Sequence, residues 1–156
     1  MKTLTAVFAP YVLMTALAPA LAACATTAGA ANPTHTGTAL VATLDGKAEV
    51  PGPGDANGNG EFSGWFDPAM GRICYTLGVG SLASPTMAHI HRGGAQTAGP
   101  VVVALANPLH GIAETCAPVD KALIGEILAN PAGFYVNVHT TAHPRGAIRA
   151  QLKRPK

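Results

Sequence analysis

A chain of 156 residues with 12% charged residues, a formal net charge of +2, 18 Gly and 13 Pro fits a single domain and is too rich in turn formers for a helical bundle. The near-neutral balance argues against nucleic acid as a partner. A binder of phosphate backbones would carry a stripe of Lys and Arg with interleaved aromatics, whereas only Lys153, Arg154 and Lys156 cluster here, at a solvated tail.

The chain opens with Lys2 and an apolar run over 4–22 that is broken by Pro10 and Pro19 and ends in small residues. This is the pattern of a secretory signal, residues 1–23. It is a poor spanning helix, which needs about 20 uninterrupted apolar residues. Leu21-Ala22-Ala23-Cys24 resembles a bacterial lipobox, in which Cys24 becomes the lipidated first residue of the mature protein. Acyl chains, at about 0.8 kcal/mol per buried methylene, would then hold an exported lipoprotein at a membrane in the periplasm or on the cell surface. Cleavage after Ala20-Leu21-Ala22, leaving a soluble secreted protein, is the competing expectation. Three Cys is an odd count for an exported chain, and giving Cys24 to lipid leaves Cys74 and Cys116 to pair. Closing a loop of about forty residues is worth about 4 kcal/mol by chain entropy.

Residues 24–38 lack periodicity and read as a flexible tether, followed by a β domain over 39–153. A first strand is expected at 39–44. The Gly- and Asn-rich loop at 54–61 imitates the start of a calcium loop through Asp55, Asn57, Asn59 and Gly60. The twelfth position is Phe66, not the bidentate Glu such a loop needs, so a plain turn is expected. Residues 61–67 and 72–79 alternate and are joined by Pro68-Ala69-Met70-Gly71, a hairpin. A His-bearing strand follows, then a Gly-rich loop at 92–99 and a continuous apolar strand at 101–105. Residues 107–118, with His110 and Cys116, look irregular. Asp120 can cap a helix over 121–130 with an apolar stripe of Leu123, Ile124, Ile127 and Leu128, stopped by Asn130-Pro131-Ala132-Gly133. Strands at 134–140 and 147–153 close the domain. The expected class is all-β: an antiparallel, Greek-key-like sandwich or barrel of about seven to eight strands with one short helix.

The chemistry-bearing pattern lies in two of these strands. His89 and His91 alternate with Ala88 and Ile90, so they share one face of a strand at roughly 6 to 7 Å. Tyr135, Asn137 and His139 likewise share a face opposite Phe134, Val136 and Val138. If the two strands are neighbours, three imidazoles converge. A lone histidine such as His35 or His110 is read as a surface residue. A His-x-His pair suits a metal at about 2.0 to 2.1 Å from each nitrogen, and the competing reading is hydrogen bonding of the same rings to loop backbone. His143 is a candidate fourth ligand, with Asn137 and Tyr135 fixing ring orientation. Imidazole sites suit copper and zinc, with copper ahead on affinity. No G-x-S-x-G motif occurs, and the carboxylates are scattered, so nothing favours nucleophilic hydrolysis or a glycosidase pair.

The runs H-I-H-R-G at 89–93, G-P-V-V-V-A-L at 99–105, N-P-A-G-F-Y-V-N-V-H-T at 130–140 and H-P-R-G-A-I-R-A-Q-L at 143–152, with Ala48-Glu49-Val50-Pro51, resemble the CHRD (chordin) domain family. The resemblance implies an all-β extracellular module of the bacterial exported kind, with a binding role towards an envelope or extracellular protein, and implies no reaction. A narrower likeness is to the copper-ligand strands of copper/zinc superoxide dismutases. It implies His89, His91 and His139 as copper ligands, with Arg145 and Arg149 as candidates for an arginine beside them and Arg145 assigned the supporting place. The bridging histidine and the zinc set of that family have no counterpart here, so at most a copper-only site follows, and turnover stays open.

Overall fold

The computed structural model describes residues 36–156. The expected signal, Cys24, His35 and nearly all of the tether lie outside the described residues. Eight strands follow in order: β1 (Thr38–Asp45), β2 (Asn59–Asp67), β3 (Arg72–Gly80), β4 (Pro85–Arg92), β5 (Val101–Leu105), β6 (Ile112–Pro118), β7 (Phe134–Thr140) and β8 (Ile148–Gln151), with one helix, α1 (Lys121–Ala129), between β6 and β7. All pair antiparallel in one sheet of order β5-β4-β7-β8-β1-β2-β3-β6. The β1-β2-β3 meander and the β4-β5 and β7-β8 hairpins are joined by crossings from β3 to β4 and, through α1, from β6 to β7, a Greek-key path with β5 and β6 at the two edges of the sheet. The sheet curls into a nearly closed barrel, in which Tyr75 of β3 reaches the far edge strand by accepting a bond from Ala106 N at 2.7 Å.

Alternation drives the curl. Leu40, Ala42 and Leu44 of β1, Phe62 and Phe66 of β2, Ile73, Tyr75 and Leu77 of β3, Ala88 and Ile90 of β4, and Val136 and Val138 of β7 all point into one buried cluster. The helix is capped as expected, with the Asp120 carboxylate accepting from the N–H groups of Ala122 and Leu123. Its Ile124 and Ile127 are fully buried, and its Lys121 ammonium donates to Ala69 O in the β2–β3 turn.

One expectation fails. Residues 112–118, read as irregular, form β6 and pair with β3 along their whole length. As an edge strand β6 leaves most of its side chains exposed, and its core-facing positions hold only the small residues Ala113, Thr115 and Ala117, so no alternation of large apolar residues marks it. Its register is instead held covalently, because Cys74 and Cys116 lie directly opposite each other and form a disulfide.

Every residue of β7 is buried, on both faces. Its inner face belongs to the core, while the outer face is covered by the 93–100 loop and the β7–β8 turn. That covered outer face is where the histidines lie.

Candidate metal centre

The β4–β7 ladder sets His89 opposite Asn137, His91 opposite Tyr135 and Met87 opposite His139. All six side chains therefore rise from one face of the sheet. One donor nitrogen from each of His89, His91 and His139 lies within 4.8 Å of the other two, the one such group of His, Cys, Asp or Glu donors among the described residues. His91 and His139 are buried, and His89 is half-buried.

Backbone carbonyls fix the tautomers. Nδ1 of His91 lies 2.8 Å from Gly99 O, and Nδ1 of His139 lies 3.1 Å from Pro144 O. A carbonyl can only accept, so each Nδ1 carries the proton and each Nε2 presents a lone pair. His139 Nε2 accepts a hydrogen bond from the Nδ1–H of His89 at 3.2 Å, a proton that an ion bound there would replace. Two nitrogens sharing an ion at 2.0 to 2.1 Å in tetrahedral geometry are roughly 3.3 Å apart, so this pair already has the separation a bound ion needs. His91 Nε2 is buried and has no hydrogen-bond partner. An unpartnered lone pair in a dry site costs free energy, and an ion shared with the other two rings would offset that cost.

Charge also suits a cation. Burial holds all three imidazoles below the ordinary histidine range. For His89 the neighbouring His139 and His91 add to the effect, while the Gly99 carbonyl and the nearby Asn137 side chain, which falls short of hydrogen-bond geometry, partly oppose it at His91 and the Pro144 carbonyl at His139. The rings are thus neutral at pH 7, the form that ligates metal. The donor set fits copper or zinc.

A stack of flat groups supports the site. The Tyr135 ring lies parallel to His91 with centroids 4.7 Å apart, and the Arg149 guanidinium covers its other face at 3.4 Å. The Tyr135 hydroxyl accepts from Gly99 N, the residue whose carbonyl orients His91. Arg149 donates to Gly94 O and Thr97 O, and Gln151 donates to Gly93 O, so strand side chains tie the roofing loop down on the sheet. Gly99 is required where the loop crosses β4, since a Cβ there would lie 1.6 Å from Arg92 O.

His143 and Arg145 lie apart from this group, in the β7–β8 turn. The backbone of His143 builds the turn by donating to Thr140 Oγ1 and accepting from Gly146 N. Both residues line a hollow of about 100 Å³ with Pro51 and Pro53, and Arg145 is exposed. Asn137 sits beneath the rings, between His89 on β4 and Arg149 on β8. The buried arginine is Arg149, 1% exposed. Sequence reasoning gave no role to Gln151, or to Glu49, a buried carboxylate on the same side of the sheet. The alternation of Arg149 and Gln151 with Ile148 and Ala150 was the available signal for the first.

Fold and site together define a class: an all-β, nearly closed antiparallel barrel carrying a three-histidine cluster beneath a Gly-rich loop. Residues 40–152 match the CHRD domain, and the chain belongs to that family. No curated protein and no solved structure matches it. Among the described residues no helix is long and apolar enough to cross a membrane.

Proposed function

We propose that this chain is an exported CHRD module, anchored in a membrane through lipid on Cys24, that binds a transition metal through His89, His91 and His139, copper ahead of zinc. The observation that carries the reading is the buried, unpartnered Nε2 of His91 beside two rings whose nitrogens already stand 3.2 Å apart. Fixation of both Nδ1–H groups by carbonyls adds to it, because ligating histidines are held this way. Three protein ligands leave a coordination position open, which suits uptake and release of an ion as well as turnover.

One observation favours a second reading, a scaffold that presents a loop to an envelope or extracellular protein. His91, Tyr135, Arg149 and Gln151 all bind the 93–99 loop, an anchoring that needs no metal.

The two separate in one experiment. The purified protein is incubated with copper or zinc and dialysed, and bound metal is counted for wild type, His89→Ala and His139→Ala. About one ion per chain, lost in both variants, supports the metal site; trace metal equal in all three proteins leaves the scaffold.

A further inference from the structure

Met87 shares the imidazole face with the three histidines, Tyr135 and Asn137. It precedes His89 by two residues in β4 and stands directly opposite His139 in β7, where paired Cβ atoms are about 4.5 to 5.5 Å apart. The irregularity in this ladder falls between Pro85 and Met87, so pairing is continuous from Met87 to Arg92 and its side chain shares the histidine face. Ala88 and Ile90, on the opposite face, are buried in the core, whereas Met87 is 47% exposed. Packing therefore makes little use of it, and its flexible side chain starts from the backbone position paired with His139.

We propose that Met87 supplies a thioether as fourth ligand to the ion held by His89, His91 and His139, and that this makes the site selective for monovalent copper over zinc. The proposal rests on the metal-site reading above. Thioether sulfur is a soft donor that adds affinity for Cu(I) and little for Zn(II), which imidazole nitrogens already satisfy. Met87 is half exposed and free of core packing, so its side chain can turn towards the cluster without disturbing the barrel.

The test uses the purified protein, Met87→Leu and His139→Ala under anaerobic conditions, with Cu(I) generated by ascorbate and titrated against bicinchoninate, and Zn(II) titrated separately. Leucine keeps the bulk and removes the sulfur. The expected result is a loss of Cu(I) affinity by roughly tenfold or more in Met87→Leu with Zn(II) affinity unchanged, the scale on which metal sites respond to a lost supporting partner. A sulfur neighbour in the copper X-ray absorption spectrum of wild type disappears with it. Equal Cu(I) affinities and no sulfur neighbour in wild type overturn the thioether assignment while the histidine site stands. A parallel loss of zinc overturns the selectivity. Failure of wild type to hold either ion at stoichiometry overturns the histidine site and Met87 with it.

Discussion

Glu49 offers a perturbation whose sign and size both come from the structure. Its carboxyl is 5% exposed, Oε1 has no hydrogen-bond partner, and the backbone of Gly146 presses so close that a Cβ there would lie 2.4 Å from the carboxylate. Burial pushes its pKa from 4.5 to about 7, against the attraction of Arg149 and a bond from the Val50 backbone. The folded protein therefore binds more protons than the unfolded chain between pH 4.5 and about 7. Stability from this group is full below that window, falls as pH rises through it and is flat above it. At about 1.36 kcal/mol per pH unit, the change across the window is about 3 kcal/mol. Glu49→Gln keeps the shape and cannot ionise. Urea unfolding of both proteins from pH 4.5 to 8 should show the glutamine variant gaining about 3 kcal/mol on wild type as pH rises, whatever its offset at low pH. Comparing the two proteins cancels the histidines, which act in the opposite sense. A difference that does not change with pH would mean that Glu49 stays ionised as the partner of Arg149, and the burial argument would be wrong.

Two further predictions concern the covalent tie and the histidines. Replacing Cys74 and Cys116 together by Ala removes a link across a sequence separation of 42 and should cost about 4 kcal/mol in urea unfolding; a loss below about 1 kcal/mol would mean that the β3–β6 register holds without it. Burial lowers the pKa of all three imidazoles, so under the proposed metal site protons would compete with the ion only below the ordinary histidine range. Zinc affinity measured by competition should be level from pH 8 to about 6.5 and fall below that, and a decline already present between pH 8 and 7 would contradict the burial of the rings.

Periodicity carried much of this protein. The alternation around His89 and in 134–140 placed five polar side chains on one face of two strands, and the Asp120 cap with its apolar stripe located the helix, because these signals are written in consecutive residues. Which strands are neighbours is not. That β4 lies beside β7 across forty-odd residues, so that His139 meets His89, follows from the Greek-key path and from the burial of Val136 and Val138 against Ile90. β6 escaped notice because its core-facing positions are the small residues Ala113, Thr115 and Ala117, too weak an apolar signal to show a period. The positions of Glu49 and Met87 became legible only in the folded chain, and between the two candidate arginines only the fold showed that Arg149 is buried against Tyr135 while Arg145 is exposed. A strand's local sequence states which side chains share a face, while the covering loop and the neighbouring strand decide whether that face is solvent, core or a pocket able to hold an ion.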